Sequence, residues 1–345
     1  MSQSEGVTTR LRVAVIGVGQ IARRGHLPGY QKARAQIVAL CSRPEPELAK
    51  IAAQYGVERI YHDWRQLVSD GGFDAVSICT PPALHSEMAV ACARRGYHVL
   101  VEKPMALSED QCTAMIDAAE SAKTLLMVGH NQRFIAHHRQ AKAILQSGSL
   151  GRPYLAHAVF GHGGPELWSP TNDWYFDPAA AGDGVLADLG SHKLDLLRWL
   201  LDQEIVEVAA MSATFEKTTS TSDTVAGLLR FSGGTLATFH VGWAFRPGWA
   251  NSLTIRCAHG TIEVPTEANE PVRVFEQCPS GAVDESTFFA DEADPAGWLA
   301  SVAAFVDALI NDKPSPVSGR DGLGTMRAVL AASEACKHGT VIRLT

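Results

Sequence analysis

A short apolar segment that runs directly into a glycine-rich turn constrains the fold of this chain most strongly. Residues 11–17 (LRVAVIG) form an apolar run ending in glycine, as expected of a buried parallel strand. The turn over residues 17–22 reads G-V-G-Q-I-A, a G-x-G-x-x-A pattern. Its first glycine allows a tight turn, its second lets the backbone approach a pyrophosphate, and its alanine keeps the next helix close to the strand. The sequence therefore predicts a dinucleotide-phosphate site at that helix N-terminus, formed by Gly17, Gly19, Gln20, Ile21 and Ala22.

Strands alternate with helices through the first 130 residues. Further apolar runs suited to buried strands lie at 35–41, 73–79, 99–101 and 125–129. Helical patterns separate them, at 47–55, 85–96 and 108–123. This alternation predicts a doubly wound parallel sheet, so that residues 1–130 form an NAD(P)-binding Rossmann domain of the α/β class.

The pattern changes beyond residue 130. Strands are predicted at 154–160, 205–214, 224–231, 234–243, 252–258 and 261–264, and helices at 137–147, 298–310 and 322–337. Short glycine-containing turns join neighbouring strands, which indicates antiparallel pairing. Residues 131–345 are therefore expected to form a C-terminal α+β domain on a large, mostly antiparallel open sheet. One face should pack on helices and the other on a partner subunit, giving a homodimer or homotetramer.

Composition excludes several classes of protein. The 345 residues are 46% hydrophobic and 19% charged, as in a globular protein with room for two domains. The net charge of −7 comes without long runs of one sign, so neither nucleic acid nor a membrane surface is an expected partner. No apolar run approaches the ~20 residues of a membrane span, and the polar first ten residues lack a signal-peptide core. The seven scattered cysteines fit reduced thiols and a cytoplasmic location.

The residues after the second strand bear on the choice of cofactor. An acidic residue about 20 positions beyond the glycine loop would bind the ribose hydroxyls of NAD. Here Ser42 and Arg43 stand instead, and they could hydrogen-bond and neutralise a 2′-phosphate. The sequence thus favours NADP over NAD. Alternatively, Arg43 stacks on adenine or points into solvent, and either cofactor could bind.

Two segments at the predicted carboxyl edge of the sheet carry candidate ligand contacts. Thr80, Pro81 and Pro82 end the third apolar strand in a rigid loop over which a dinucleotide would run, and His85 follows with either a packing or a ligand-binding role. The next strand ends in Glu-Lys-Pro, residues 102–104. Because open α/β sheets bind ligands at this edge, Lys103 is a candidate for the reaction centre.

The most informative stretch of the second domain is a leucine-rich helix at 182–199 that carries three polar residues. Asp188, His192 and Asp195 are spaced i, i+4 and i+7, on one stripe of a regular helix. Such groups are unfavourable in an apolar helix unless they have partners. A buried Asp-His hydrogen bond fixing an interdomain contact is one explanation. We favour catalysis, because hydride transfer at a carbinol carbon needs an acid/base group such as lysine or histidine.

Together these motifs resemble the glucose-fructose oxidoreductase, inositol dehydrogenase and rhizopine-catabolism (Gfo/Idh/MocA) family over nearly the whole chain. The matching elements are Gly17-x-Gly19-x-x-Ala22, Thr80-Pro81-Pro82 with His85, Glu102-Lys103-Pro104, Gly129-His130-Asn131-x-Arg133, and Asp188-x-Gly190-x-His192 with Asp195. The resemblance implies a Rossmann domain binding NAD or NADP. It also implies an open sheet used in dimers or tetramers. Sugars, sugar derivatives, cyclic polyols or other small carbonyl compounds would be the substrates.

The resemblance also implies roles for individual residues. Lys103 would contact both the nicotinamide ribose and the reacting oxygen, and His192 would be the principal acid/base. Asp188 would bind substrate hydroxyls or orient that histidine, and Asp195 would also lie at the substrate. Cofactor contacts would extend to Glu102, Asn131 and Arg133. Two departures from the family pattern stand out: Asp183 interrupts a usual triple glycine, and Ser42-Arg43 replaces the aspartate of many NAD-using relatives.

A loop between the domains is rich in aromatic and polar residues that could contact a sugar ring. These residues are His157, His162, Glu166, Trp168, Asp173, Trp174 and Tyr175, of which Trp168 and Trp174 are the main substrate candidates. The alternative is a packing lid. A metal site at His157 and His162 is disfavoured, because no carboxylate or thiol spacing completes it.

Two other functions use the same scaffold. One is a hydrolase or lyase in which tightly bound NAD oxidises a sugar transiently. The other is a cofactor-binding regulator, which would have no need of Lys103, Asp188 and His192. We favour an NAD(P)-dependent dehydrogenase or reductase acting on CH-OH groups.

Overall fold

The structure, a computed structural model, describes residues 10–170, 173–278, 280–289 and 294–344, with the side chain of Asp173 left out. Its first sheet has six parallel strands in the order β3-β2-β1-β4-β5-β6. Those strands are β1 (Arg12–Ile16), β2 (Gln36–Cys41), β3 (Arg59–Tyr61), β4 (Ala75–Ile78), β5 (His98–Val101) and β6 (Leu126–Val128). The order reverses at β1, so the carboxyl ends of β1 and β4 flank the point where ligands bind in such sheets. The predicted doubly wound α/β sheet is confirmed.

Helices cover both faces of this sheet. A π-helical turn, Ala22–His26, leads into α1, and a 3-10 turn, Pro82–Leu84, precedes α4. The helices are α1 (Leu27–Lys32), α2 (Leu48–Tyr55), α3 (Trp64–Asp70), α4 (His85–Arg94) and α5 (Glu109–Ala122). Ser108 caps α5 by accepting a hydrogen bond from the backbone N–H of Gln111, and Glu109 and Asp110 follow in the first turn.

The second sheet has nine strands in the order β14-β13-β12-β11-β7-β10-β9-β8-β15. They are β7 (Pro153–Gly161), β8 (Ile205–Ala213), β9 (Thr224–Phe231), β10 (Leu236–Gly242), β11 (Leu253–Cys257), β12 (Gly260–Val264), β13 (Val272–Gln277), β14 (Val283–Phe288) and β15 (Ile342–Arg343). β7 and β10 pair in parallel and the other neighbours are antiparallel. The predicted open, mostly antiparallel sheet is confirmed.

Side chains alternate across this second sheet. Inward positions such as Val225 and Leu229 are buried, whereas Leu228 and Met211 on the opposite face are 61% and 81% exposed. The inner face packs on α6 (Ala136–Ser147), α8 (Ser191–Leu201) and α10 (Gly319–His338). Two further helices lie away from this sheet: α7 (Pro178–Ala181) packs on the 3-10 turn before α4, and α9 (Trp298–Ile310) packs on α1. The outer face therefore presents apolar side chains to the outside of the chain.

The closing helices also return to the Rossmann domain. α9 lies so close to α1 that a Cβ on Gly29 would be 2.8 Å from Val302. α10 packs on α5 and β6, where a Cβ on Gly322 would be 2.7 Å from Met105. The boundary at residue 130 stays a prediction, and the last helices join the two parts. Within the described ranges, no helix is long and apolar enough to cross a membrane.

Candidate active site

The glycine loop after β1 has the geometry that its sequence predicted. Gly17 has φ +86°, and a Cβ there would lie 2.6 Å from the carbonyl oxygen of Cys79. Gly19 faces open space, since a Cβ would meet no atom within 4 Å. Ala22 is fully buried. This cradle fits a pyrophosphate, because the backbone N–H groups after Gly17 can be approached without obstruction by side chains.

The segment after β2 carries an exposed arginine beside the glycine loop. Ser42 is half-buried, and its backbone carbonyl faces Nδ1 of His62 at 2.9 Å. Arg43 is exposed, and among the described residues nothing pairs with its guanidinium. The neighbouring carboxylate, Glu45, is neutralised by Arg23 at 2.7 Å. Among the described residues Arg43 is thus an exposed, unpaired cation at the end of β2, next to the glycine loop.

His85 connects the two loops that follow β4 and β5. It is fully buried, with Nδ1 3.0 Å from the carbonyl oxygen of Pro104 and Nε2 2.8 Å from that of Thr80. Pro82 is also buried, and Pro81 is half-buried. Of the two roles left open for His85, the structure supports packing, since both ring nitrogens face protein carbonyls. The imidazole fixes the loops that would line a cofactor.

The centre of the site is an ion pair between the two domains. Lys103, just after β5, donates from Nζ to Oδ1 of Asp188 at 2.7 Å and to its backbone carbonyl at 3.1 Å. The indole Nε1 of Trp243 donates to Oδ2 of Asp188 at 3.1 Å. Burial alone would raise the pKa of Asp188, but Lys103 and the hydrogen bonds outweigh it and the pKa is lowered. Asp188 is therefore a carboxylate at neutral pH.

His192 lies near this ion pair as a neutral imidazole. It is 8% exposed, and its Nδ1 has no hydrogen-bond partner among the described residues. Its ring meets that of Phe160 edge-on, at 5.5 Å between centroids. Burial and then the charge of Lys103 lower the pKa of His192 well below its usual value. The uncharged ring can accept a proton at neutral pH.

The predicted stripe of Asp188, His192 and Asp195 is corrected by the structure. A π-helical turn, Leu186–Gly190, precedes α8, so the three residues do not share one regular helix. No Asp188–His192 hydrogen bond forms within the described part of the chain. Asp195 instead binds Arg133, at 2.8 Å to Nε and 2.6 Å to Nη2.

That second ion pair involves two of the residues predicted to contact ligands. Asp195 is 1% and Arg133 is 6% exposed, and Asp321 adds a further contact to Arg133 at 3.1 Å. Arg133 is predicted to contact the cofactor and Asp195 the substrate. In the structure their charges satisfy each other in an internal ion pair that connects the 3-10 turn after β6 to α8, and the two ligand contacts stay predictions.

Two other residues assigned to the cofactor bind inside the protein. The side-chain amide of Asn131 donates to the carbonyl oxygen of Ala296 at 2.7 Å, just before α9. Glu102 is 9% exposed, and its Oε1 lies 2.8 Å from Nε2 of His26. Asn131 is therefore an anchor for the loop before α9, and the carboxylate of Glu102 lies beneath the edge that Lys103 occupies.

Aromatic rings form a wall beside His192. His162 meets Trp168 edge-on at 4.4 Å and lies parallel to Trp249 at 6.0 Å between centroids. Phe160 contacts Trp249 at 5.2 Å. The backbone N–H of Gly164 donates to Nδ1 of His162, which assigns the ring proton to Nε2. Burial lowers the pKa of His162 to about 4, so this ring too is neutral.

The rest of the predicted loop is only partly at the site. Trp174 and Tyr175 stack at 3.8 Å, and burial followed by the charge of Asp188 raises the pKa of the Tyr175 phenol. Glu166 pairs with Lys217. The side chain of Asp173 lies outside the described residues.

His157, in contrast, does not belong to this loop. It is exposed on the outer face of the second sheet, with Nδ1 2.6 Å from the hydroxyl of Thr238 and its ring edge-on to His240 at 5.2 Å. Its neighbours Ala156 and Ala158 point inward. Strand alternation therefore separates His157 from His162. In the part of the chain that the structure describes, no group of three or more His, Cys, Asp or Glu could hold a metal ion.

Two tryptophans of the site were missed in the sequence. Trp243 continues the inward series Ala237, Phe239 and Val241 of β10, so the period-two pattern could have placed it on the buried face. Trp249 lies in an irregular loop and carries no such periodic signal.

Comparison with known proteins agrees with this geometry. The family profile described as oxidoreductase family, NAD-binding Rossmann fold, matches residues 11–130, and that of the GFO/IDH/MocA C-terminal domain matches residues 138–263. The chain is 30% identical to 1,5-anhydro-D-fructose reductase of Ensifer adhaerens over 339 residues, covering 95% of this chain and 97% of that protein. The chain belongs to the Gfo/Idh/MocA family of oxidoreductases. The predicted family and enzyme class are confirmed.

Other relatives extend along the full length of this oxidoreductase. Myo-inositol 2-dehydrogenase of Thermotoga maritima is 24% identical, with 97% of this chain and 98% of that protein covered. The crystal structure of an oxidoreductase from Agrobacterium radiobacter, in complex with NAD+, L-tartaric acid and magnesium, superposes with a TM-score of 0.86. It is 26% identical and covers 97% of this chain and 98% of its own.

Proposed function

We propose that this oxidoreductase transfers hydride between a nicotinamide cofactor and a secondary alcohol or ketone of a sugar, sugar derivative or cyclic polyol. The observation that carries the proposal is the Lys103–Asp188 ion pair at 2.7 Å, beside a neutral His192. Lys103 comes from the carboxyl edge of the Rossmann sheet, where a dinucleotide binds, and Asp188 from the second domain. A substrate beside this ion pair would face both the cofactor edge and an acid/base pair.

In this proposal the protein residues manage the proton of the reacting oxygen. A bound NAD(P) supplies hydride acceptance or donation at its nicotinamide ring. When an alcohol is oxidised, neutral His192 accepts the hydroxyl proton while Lys103 donates a hydrogen bond to the same oxygen. In the reverse direction, Lys103 donates a hydrogen bond to the carbonyl oxygen and stabilises the developing alkoxide electrostatically. Asp188 holds Lys103 in place and accepts a hydrogen bond from a neighbouring substrate hydroxyl.

The walls of the site support a hydroxylated ring as substrate. The ring of His162 lies 4.4 Å from that of Trp168 and 6.0 Å from that of Trp249, measured between centroids. Such surfaces pack on the C–H faces of a sugar or cyclitol, and the Lys103–Asp188 pair offers a donor and an acceptor for its hydroxyls. The named relatives, a reductase of 1,5-anhydro-D-fructose and a dehydrogenase of myo-inositol, act on molecules of this kind.

We propose NADP as the preferred cofactor. Exposed Arg43 lacks a partner within the described structure, and Arg23 neutralises the nearby carboxylate of Glu45. A 2′-phosphate would thus meet a free guanidinium and no uncompensated acid. Arg43→Ala should weaken NADP binding much more than NAD binding, measured by titration of nicotinamide fluorescence. Equal losses for the two cofactors would refute this role.

The outer face of the second sheet supports a homodimer or homotetramer. Leu155, Leu228, Leu236 and Met211 are 42%, 61%, 44% and 81% exposed there. Several exposed apolar side chains on one sheet face are typical of a subunit interface. Light scattering of the purified protein should give twice or four times the chain mass, and Leu228→Arg should reduce it. A monomer at micromolar concentration would refute the assembly.

The decisive experiment for activity is a substrate panel. Purified protein is mixed with aldoses, ketoses, sugar acids and inositols, with NAD and NADP and with their reduced forms, and nicotinamide absorbance is followed. A sustained change with one substrate is expected. Tight cofactor binding without any net change in any well would contradict net redox turnover.

A further inference from the structure

Four buried side chains form a hydrogen-bonded chain beneath the carboxyl edge of the Rossmann sheet. The hydroxyls of Tyr30 and Ser77 lie 2.6 Å apart, and Ser77 Oγ lies 2.9 Å from Nδ1 of His26. His26 Nε2 lies 2.8 Å from Oε1 of Glu102. The four residues are 0%, 0%, 3% and 9% exposed, in the order Tyr30, Ser77, His26, Glu102. This chain is not used by the acid/base reaction described above.

The protons of this chain can be assigned from chemistry. Burial raises the pKa of the Tyr30 phenol, which therefore keeps its proton and donates to Ser77. Ser77 then donates to Nδ1 of His26, and the Nε2–H of His26 donates to Glu102. Burial alone would raise the pKa of Glu102, but the hydrogen bond from His26 and then the charge of Lys103 outweigh burial and lower it. The chain thus ends in a carboxylate.

This carboxylate is directly linked to the reaction centre through the backbone. The N–H of Lys103 lies 3.3 Å from Oε2 of Glu102. A Cβ on Gly129 would lie 2.9 Å from Oε1, so the glycine after β6 leaves the room that the carboxylate occupies. Both oxygens of Glu102 therefore have protein partners, and the negative charge is fixed behind Lys103.

The charge of Glu102 is not cancelled by the groups around it. Lys103 is paired with Asp188 at 2.7 Å. Burial lowers the pKa of His85, of His162 and of His192, so these three rings are neutral. The titratable groups that face Glu102 or act on it are His26, Cys79, His85, Lys103 and Tyr175. Burial raises the pKa of the Cys79 thiol and the Tyr175 phenol, which are therefore neutral at pH 7. With His26 carrying a proton on Nε2 alone, as in the hydrogen-bond pattern described above, one negative charge remains at this edge of the sheet.

We propose that Glu102, held by the chain from Tyr30 through Ser77 and His26, makes the site favour the oxidised cofactor over the reduced one. The inference rests on the proposed function, since it requires a nicotinamide at this edge. The oxidised ring is a cation and the reduced ring is neutral, so a buried negative charge stabilises only the oxidised form. Glu102 would thus be a determinant of redox preference, distinct from the residues that move the substrate proton.

The test is a ratio of two binding constants and needs no turnover. Dissociation constants for the oxidised and reduced forms are measured by calorimetry and nicotinamide fluorescence in the wild type and in Glu102→Gln. Glutamine keeps the shape and the acceptor for His26 but removes the charge. The ratio of the oxidised to the reduced dissociation constant should rise about tenfold, equivalent to about 1.4 kcal/mol. For a two-electron couple this raises the potential of the bound cofactor by about 30 mV.

A matched control is the half-buried carboxylate of Glu45 after β2. Glu45→Gln removes a charge from the same domain, at a half-buried ion pair with Arg23. It should change the affinities for oxidised and reduced cofactor alike and leave their ratio within about twofold. A ratio that moves equally in Glu45→Gln and Glu102→Gln would reflect net charge alone and would overturn the role of Glu102.

The remaining outcomes separate this inference from the proposed function. If the wild type binds neither form, the proposed function fails. If it binds both and Glu102→Gln keeps the wild-type ratio, only the inference is overturned. Should Glu102→Gln not fold, His26→Leu removes the donor and leaves the carboxylate. The ratio should then rise as pH falls from 8 to 5.5, because Glu102 becomes easier to protonate. A ratio that does not change with pH would overturn the role of the hydrogen-bonded chain from Tyr30 to Glu102.

Discussion

The substitution Asp188→Asn tests the ion pair at the centre of the site. Asparagine has the same shape, but its amide carries no charge and presents donors on one side. Lys103 would lose its carboxylate partner at 2.7 Å, and either Lys103 or Trp243 would face the N–H₂ group. Because Lys103 and Asp188 are only 15% and 13% exposed, water cannot fully replace the lost contact. We expect the variant to be less stable and much less active.

The size of the stability loss follows from the burial. Removing one member of a buried ion pair destabilises a protein by about 3–5 kcal/mol. Lys103 keeps its hydrogen bond to the backbone carbonyl of Asp188 at 3.1 Å and some exposure, so we expect about 2–3 kcal/mol. At about 2–4 °C per kcal/mol, the melting temperature should fall by about 4–12 °C. Turnover should fall by about 10²-fold.

The assay is thermal unfolding followed by circular dichroism at several pH values. The pKa of Asp188 is lowered in the folded state, so its stabilisation is complete above about pH 4 and is lost as pH falls through the folded pKa. The difference between wild type and variant should therefore be constant from pH 8 to 5. Glu216→Gln, in an exposed pair with Arg246, is the control and should leave the melting temperature unchanged. Equal melting temperatures for Asp188→Asn and wild type would refute the reasoning.

Three further predictions follow from the geometry. Gly17→Ala should destabilise the protein by more than about 2 kcal/mol, because φ of Gly17 is +86° and a Cβ there would collide with backbone atoms. Gly19→Ala should fold normally but lose affinity for the cofactor in fluorescence titrations. His162→Ala should lower kcat/KM, while His157→Ala on the outer sheet face should leave it unchanged; equal effects in steady-state assays would contradict the assigned positions. Burial lowers the pKa of Lys193 to about 7. The free energy of unfolding of the wild type, relative to that of Lys193→Met, should therefore rise above pH 7 by about 1.4 kcal/mol per pH unit. A difference in unfolding midpoints that does not depend on pH would refute this.

Much of the fold was predictable because its strands carry regular apolar patterns. In the Rossmann sheet β4 and β6 are buried throughout and β1, β2 and β5 are buried at most positions, and buried positions alternate along β10 and β11. Four strands were missed, of which β13 begins with alternating buried and exposed positions that could have been recognised. The other three lack these signals: β3 has three residues, β15 has two, and β14 is exposed at all six positions. Strands of that kind form because a neighbouring strand offers backbone hydrogen bonds, which no local pattern records.

The site was predictable in its residue types and less so in its pairings. Lys103 and Asp188 were each expected from their own segments, and the structure joins them across 85 positions of sequence. The regular-helix spacing that linked Asp188 to Asp195 was misleading, because the π-helical turn before α8 changes the direction in which Asp188 faces relative to Asp195. Arg133 was read as a ligand contact, although a buried carboxylate elsewhere in the chain was available to it. Competition between internal partners and ligands depends on tertiary contacts, which the sequence does not reveal.

The measurement that tests the proposed reaction centre most directly is single-turnover hydride transfer in Lys103→Ala and His192→Ala, with cofactor affinity measured on the same samples. We expect each variant to lose at least ~10²-fold in rate while still binding cofactor, because each removes a group that acts on the reacting oxygen. Near-normal rates in both variants would contradict the assignment of Lys103 and His192 as the acid/base pair.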